Sequence, residues 1–238
     1  MFIDTFYQLK DNKISFTREQ ASKFAKQLAD DFNPLHDVDA KRFCVPGDLL
    51  FSVILSRAGL HPKMTFNFTG MVSNDVALTF PEQINQQAFV TDDNNKQYLS
   101  VQALGEKCDN PKLISSLIKA YVEFSGHTFP HILVELMKQQ QVMINPQRPM
   151  IMYESMSLEL QRMDIDEMQL ALADCSLEID GKRGNACLKF DLLAENKVIG
   201  HGKKHMLLSA LRPYCQDTID QIVVSYNQSK QDYVNHGS

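Results

Sequence analysis

The chain has 238 residues, of which 44% are hydrophobic and 22% are charged. This composition is typical of a globular protein and excludes an intrinsically disordered chain. The formal net charge of −5 argues against general nucleic-acid binding, because proteins of that class carry a basic excess. The length fits one large domain or two small ones.

The five cysteines are widely spaced and form no Cys-x-x-Cys pair. We therefore expect free thiols, and neither a disulfide framework nor a metal site. Free thiols are typical of the reducing cytoplasm. No run of about 18 apolar residues predicts a membrane span. The polar N-terminus lacks the features of a signal peptide, so the sequence predicts a cytoplasmic protein.

The first half of the chain is predicted to begin with helices and continue with strands. Thr17 and Gln20 form a capping box at the start of a helix that Asn33-Pro34 ends. A second helix, apolar almost all round, begins near Gly47 and is expected to be buried. Strands are predicted within residues 64–80 (two strands), 87–105 (a hairpin) and 113–124, although a helix is also compatible with the last segment.

The second half repeats this order. A helix is predicted over residues 129–141, with Pro130 near its first position. Four strands are predicted over residues 150–163, 168–179, 184–194 and 198–210. An amphipathic helix carrying Ile219, Ile222 and Tyr226 ends the chain. Because helices and runs of strands do not alternate singly, the pattern favours antiparallel rather than parallel sheets.

The segment from Asp31 to His36 has the pattern that most suggests chemistry. Asp31 is expected at the end of the first helix, where the helix dipole disfavours a carboxylate, and such local conflicts often mark functional positions. His36 follows after a proline-containing turn, so both side chains can reach one water and move its protons. Spacing alone leaves a plainer alternative open, in which Asp31 and Asn33 close the helix and His36 is a surface residue.

The run D-F-N-P-L-H, followed by a glycine-started apolar helix, resembles the hydratase 2 motif of the MaoC-like, (R)-specific enoyl-CoA hydratases. In that family the matching Asp and His activate the water that adds to the enoyl double bond, and a glycine amide binds the thioester oxygen. The resemblance therefore implies Asp31, His36 and Gly47 as catalytic residues. Asn33 and Ser52 are the candidate substrate-binding residues. Asn33 supports the loop, while Ser52 either faces the substrate tunnel or bonds back to a helix carbonyl.

The resemblance implies an α+β double hot-dog fold, in which antiparallel sheets wrap around central helices. We predict an N-terminal unit with the motif (1–125), a second unit without it (126–210), and a C-terminal helix and tail (211–238). The implied substrate is an acyl-CoA or acyl-carrier thioester in fatty acid metabolism. No cofactor is expected, since CoA arrives as part of the substrate. A homodimer is a further assembly that the sequence leaves open.

Four features differ from the family pattern. Asp30 replaces the glycine that usually precedes the catalytic Asp. Pro46-Gly47 stands where the family has His-Gly, and the Asp37–Pro46 segment is short. Asp48 places a negative charge beside the expected oxyanion site. These features leave two alternatives open. One is a non-catalytic hot-dog protein that binds acyl-CoA or an acyl carrier, and the other is an acyl-CoA thioesterase.

Overall fold

The computed structural model describes residues 1–236. The α-helices in this part of the chain are α1 (Arg18–Lys23), α2 (Gly47–Ala58), α3 (Pro111–Gly126), α4 (Leu133–Gln139) and α5 (Gln216–His236). The strands of the first half are β1 (Gln8–Lys10), β2 (Lys13–Ser15), β3 (Lys63–Phe68), β4 (Leu78–Thr79), β5 (Gln87–Asp92) and β6 (Gln97–Leu104). Those of the second half are β7 (Val142–Met143), β8 (Ile151–Leu160), β9 (Gln169–Asp180), β10 (Arg183–Ala194), β11 (Lys197–Ser209) and β12 (Arg212–Pro213). Short 3-10 turns span Phe2–Phe6 and Pro34–His36, and π-type turns span Phe24–Leu28 and Thr128–Ile132.

Ten strands form one sheet, in the order β1-β2-β4-β5-β6-β3-β8-β11-β10-β9. All of its neighbouring strands are antiparallel. Strand β3 of the first half pairs with β8 of the second, and Phe66 lies opposite Met156. Helix α2 packs against α3, and most of its residues are buried because it is apolar on nearly every side. The two halves therefore share one sheet and one main core.

This architecture confirms the predicted α+β, double hot-dog fold class with a C-terminal helix. The four long strands predicted for the second half are confirmed. Gly181, Glu195 and Asn196 all adopt positive φ angles, as tight hairpin turns require. The division at residues 125 and 210 stays a prediction, and the last part of the expected tail, residues 237–238, lies outside the described residues. None of the described helices is both long enough and apolar enough to cross a bilayer.

The prediction of a strand over residues 113–124 is wrong, because this segment forms most of helix α3. The Asn110 side chain caps the helix by accepting a hydrogen bond from the Lys112 amide at 3.0 Å, and Pro111 occupies its first turn. The buried positions recur at helical spacing: Leu113, Ile114, Leu117, Ile118, Tyr121, Val122 and Ser125. The same apolar residues also share a strand face in part, and the cap and the proline decide the outcome.

The boundaries of two other predicted helices are also wrong. The helix expected over 129–141 begins at Leu133, since Phe129 has an extended backbone and Pro130 lies in the π-type turn before the helix. The first helix leaves α geometry at Phe24 and ends after Leu28. Asp30 then adopts a φ of 54°, so the chain turns away before Asn33-Pro34 is reached. Asp31 consequently lies in a loop.

Candidate active site

A cavity of about 790 Å³ lies where the start of α2 and the end of α3 meet β8, β11 and α5. Four of the five predicted site residues line it: Asp31, Asn33, His36 and Gly47. The fifth, Ser52, is fully buried inside α2 and does not line the cavity. The motif segment and the start of the central helix are thus brought to one site.

Asp31 and His36 face each other at the wall of this cavity. Asp31 Oδ2 lies 3.8 Å from His36 Nε2, and the two side chains are 28% and 12% exposed. The His36 Nδ1 atom is 2.7 Å from the Cys44 carbonyl oxygen, which can only accept a hydrogen bond. In the neutral tautomer that this contact favours, Nδ1 carries the proton and Nε2 presents its lone pair toward the carboxylate and any water between them.

The loop that carries Asp31 is held by backbone contacts. The Asp31 amide donates to the Ala25 carbonyl at 2.9 Å, and the Asn33 amide donates to Asp31 Oδ1 at 2.9 Å. A Cβ added at Gly126 would lie 1.6 Å from the Ala29 carbonyl oxygen, so only glycine permits this close approach of α3 to the loop. The carboxylate is therefore positioned by the main chain on both sides.

The C-terminal helix also holds this loop, which the sequence did not indicate. The Tyr226 hydroxyl accepts a hydrogen bond from the Phe32 amide at 3.1 Å and donates to the Asp30 carbonyl at 3.2 Å. Lys230 forms an ion pair with the Asp30 carboxylate. Burial, followed by the nearby charge of Asp31, raises the pKa of Tyr226, so its hydroxyl stays protonated. Helix α5 thus forms one wall of the site.

Gly47 is the first residue of α2, where backbone amides have no partner within the helix. A Cβ at this position would lie 2.8 Å from Tyr153 Cδ1 and 3.1 Å from Phe68 Cε1, whose rings stack with centroids 4.2 Å apart. The Tyr153 hydroxyl is hydrogen-bonded to that of Tyr121. A side chain at Gly47 would displace this aromatic wall of the cavity.

The two candidate substrate-binding residues make contacts within the protein. The Asn33 side chain accepts a hydrogen bond from the Leu35 amide at 3.1 Å and so caps the turn leading to His36. The Ser52 hydroxyl donates to the Asp48 carbonyl at 2.6 Å, which is the second of its two expected arrangements. Asn33 supports the loop while also lining the cavity.

A second polar group in the same cavity consists of Asp48, Ser125 and Lys204. The Ser125 hydroxyl donates to Asp48 Oδ2 at 2.5 Å, and Lys204 Nζ donates to Ser125 Oγ. Burial raises the pKa of Asp48, and burial lowers the pKa of Lys204. Lys204 thus balances the negative charge that Asp48 brings to the start of α2. We call these three residues the Asp48–Ser125–Lys204 cluster.

Sequence reasoning missed Ser125 and Lys204. Strand β11 does contain one signal, because Lys204 lies between Gly202 and Met206 on the buried face of an alternating strand. A lysine at an inward-facing position is rarely buried without a partner. Ser125 carries no comparable signal, since it directly follows the segment 113–124, which is predicted as a strand.

Two other chemistries find less support in the described residues. Cys44 lines the cavity, but burial raises the pKa of its thiol to about 11, so it is protonated at neutral pH. Within residues 1–236 we find no group of three or more His, Cys, Asp or Glu side chains placed to hold a metal ion.

Comparison with known families gives one match that covers most of the chain. The family model described as Protein of unknown function (DUF3581) matches residues 1–217. The chain belongs to this family. The matched residues include the Asp31–His36 segment and the Asp48–Ser125–Lys204 cluster, whereas nearly all of α5 follows them. No curated protein matches the sequence.

Two solved structures illustrate the likeness in chain path. A hot-dog protein of unknown function from Alicyclobacillus acidocaldarius is 7% identical, with a TM-score of 0.49 over 88% of this chain and 98% of that one. An acyl-CoA thioesterase II from Mycobacterium marinum is 8% identical, with a TM-score of 0.42 over 87% of this chain and 98% of that one. At identities of 7% and 8%, these structures do not establish the activity of this chain, which is inferred below from the geometry of the site.

Proposed function

We propose that this protein hydrates an enoyl thioester, with the water activated by Asp31 and His36. The observation that supports this proposal is the 3.8 Å separation of Asp31 Oδ2 and His36 Nε2 at the wall of the cavity. At this separation one water can contact both groups. Apolar side chains dominate the rest of the wall, as an acyl chain would require.

In the proposed reaction His36 Nε2 takes a proton from the water while its oxygen bonds to the β-carbon of the enoyl group. The thioester oxygen then carries negative charge, which the free amide of Gly47 and the positive end of α2 stabilise. The imidazolium returns its proton to the α-carbon. Asp31 orients the water and stabilises the protonated imidazole. The reaction needs no cofactor, because water and the thioester are its only reactants.

Hydrolysis of the thioester is the second candidate function. The observation that favours it is the Asp48–Ser125–Lys204 cluster, which places a hydroxyl between a carboxylate and an amine on the same cavity. Either reaction would act on an acyl group carried by CoA or by an acyl carrier, and we expect it to take place in the cytoplasm. The two reactions differ in their products, since only hydrolysis releases a thiol.

The test is to incubate the purified protein with enoyl-CoAs of increasing chain length. Loss of the conjugated enoyl absorbance reports hydration, and a thiol reagent reports hydrolysis in parallel. We expect hydration by the wild type, and a decrease of about 10²–10⁴-fold for Asp31→Asn and for His36→Ala. Both variants should retain the melting temperature of the wild type within a few degrees.

A matched control exists on the surface. Asp191 and His201 form a second carboxylate–imidazole pair, 2.8 Å apart and outside the cavity. Asp191→Asn and His201→Ala should leave turnover unchanged. If the wild type hydrates no enoyl-CoA of any length, the proposal is wrong. Thermal stabilisation by acyl-CoA without turnover would instead indicate a binding protein.

A further inference from the structure

The Asp48–Ser125–Lys204 cluster takes no part in the proposed hydration, yet it lines the same cavity. Its members come from three elements: the first turn of α2, the last turn of α3 and the middle of β11. Ser125 and Lys204 are each only 5% exposed. Such a group is costly to bury, because each charge loses its hydration on folding.

The hydrogen bonds orient the Ser125 hydroxyl in one direction. Its proton points to Asp48 Oδ2, and its oxygen accepts a hydrogen bond from Lys204 Nζ. One donated and one accepted bond leave a second lone pair on Oγ. The lysine stabilises negative charge that develops on that oxygen, and the carboxylate is placed to remove its proton. This is how a serine is activated as a nucleophile.

The surroundings provide two further requirements of acyl transfer. Asp48 follows Gly47 at the N-terminus of α2, where free amides favour negative charge on a carbonyl oxygen. The Lys204 ammonium lies 4.8 Å from the Tyr153 ring centroid, so the cluster borders an aromatic wall. Met150, Met152 and Met206 extend the apolar lining of the cavity.

We propose that Ser125 is a nucleophile that accepts the acyl group of a thioester, or of an activated ester, of an apolar carboxylic acid. Ser125 Oγ passes its proton to Asp48 Oδ2 and bonds to the carbonyl carbon, whose π electrons move onto the oxygen. When the carbonyl re-forms, the carbon–sulfur bond breaks and the sulfur leaves with the electron pair. Asp48 returns the proton to the sulfur, which gives a thiol and acyl-Ser125.

Water completes the cycle. Asp48 takes a proton from a water whose oxygen bonds to the ester carbon. The bond between that carbon and Ser125 Oγ then breaks, and the serine oxygen recovers the proton. The balance is one thioester and one water consumed, with one acid and one thiol formed. This proposal rests on the second candidate function, thioester hydrolysis, and assigns its nucleophile. It does not depend on the hydration reaction, because it uses neither Asp31 nor His36.

The experiment uses the full chain and two probes, a p-nitrophenyl ester of a medium-length fatty acid and the matching acyl-CoA. The reaction is quenched with acid at short times, and the protein is analysed by intact mass spectrometry and peptide mapping. We expect an initial burst of p-nitrophenol or thiol, and one acyl group per chain on Ser125. Ser125→Ala should lose both the burst and the adduct.

Two other variants keep the result interpretable. Ser116 lies on the same helix, and its hydroxyl bonds the Met168 backbone outside the cavity, so Ser116→Ala should form the adduct as the wild type does. Ser125→Cys retains a nucleophile of similar size and should acylate as a thioester if Ser125→Ala fails to fold. An adduct mapped to Cys44 or to surface lysines, or none on the wild type, would overturn the proposal. Hydration without acylation would overturn it and leave the proposed function intact.

Discussion

Two polar groups share one cavity, and they are built in opposite ways. Asp31 and His36 lie five positions apart in one loop, are partly exposed, and face each other without a hydrogen bond. The Asp48–Ser125–Lys204 cluster joins residues up to 156 positions apart, with bonds between neighbouring members. The Asp31–His36 pair leaves room for a water between its side chains. The members of the cluster are instead hydrogen-bonded directly to one another.

This difference separates two ways of supporting a reactive group. The loop of the pair is held mainly by main-chain contacts and by Tyr226 of α5, so its geometry can be altered without unfolding the core. Ser125 and Lys204 are almost completely buried, and the two hydrogen bonds of the cluster join Asp48 Oδ2, Ser125 and Lys204. Asp48 Oδ1 has no hydrogen-bond partner among the described residues. We therefore expect changes to the cluster to affect stability first, and changes to the pair to affect turnover first.

The largest expected effect is that of Lys204→Met. Removing the ammonium leaves the Asp48 carboxylate without a cation in a buried site, so the free energy of unfolding should fall by about 3–5 kcal/mol. Urea denaturation measures this change. Lys203→Met is the matched control, because the Lys203 side chain is exposed. This substitution should change the free energy of unfolding by about 0.5 kcal/mol or less.

The double variant Lys204→Met/Asp48→Asn sharpens this test. It removes both charges together, and it should recover part of the lost stability because no uncompensated charge remains. A loss for the double variant equal to the sum of the losses of Lys204→Met and Asp48→Asn would show that the buried charges are not coupled. The hydration rate of the folded single variant should fall far less than that of Asp31→Asn.

The difference between the local pair and the long-range cluster also explains which parts of the fold and of the site could be predicted from the sequence. Thr17 caps α1 as its box with Gln20 indicated, and the glycine-started helix begins at Gly47 as expected. These are local signals, carried by residues within one or two turns. The Asp31–His36 pair is local in the same sense, so its meeting in space followed from the spacing and the proline turn.

The rest depends on contacts that sequence spacing does not encode. Residues 113–124 have apolar positions compatible with either period, and the helix cap at Asn110 determined the structure. The neighbours of Ser125 are fixed by the packing of α3 against α2 and by the register of β11. The two hydrogen bonds between Tyr226 and the Asp31 loop join residues that are 194 and 196 positions apart in sequence.

A smaller effect is expected from Tyr226→Phe. The variant leaves the buried Phe32 amide without its acceptor, which should cost about 1–3 kcal/mol of stability and loosen the loop that carries Asp31. Hydration should slow, while acylation of Ser125 should continue at the wild-type rate. Tyr233→Phe is the control, because it keeps the ring that packs on Phe32. Equal slowing of both reactions would show that α5 supports the whole cavity and not the loop alone.

The smallest effect is the part of the pH dependence of stability that comes from the buried charges of the cluster. Burial raises the pKa of Asp48 above its ordinary value of 3.8, so the folded state holds this proton more tightly than the unfolded state. The contribution of Asp48 to stability therefore decreases as the pH rises from about 4 toward its raised pKa, by at most about 1.4 kcal/mol per pH unit.

The measurement is the free energy of unfolding of the wild type and of Asp48→Asn, each followed from mildly acidic to alkaline pH. As the pH rises out of the acidic range, the free energy of unfolding of the wild type should fall relative to that of Asp48→Asn. Lys204 acts in the opposite direction at alkaline pH. Burial lowers its pKa below 10.5, so its folded form releases the proton first and stability rises with pH between the two values. Lys204→Met should lack this alkaline gain. Parallel curves for all three proteins would contradict the assignment of buried charges.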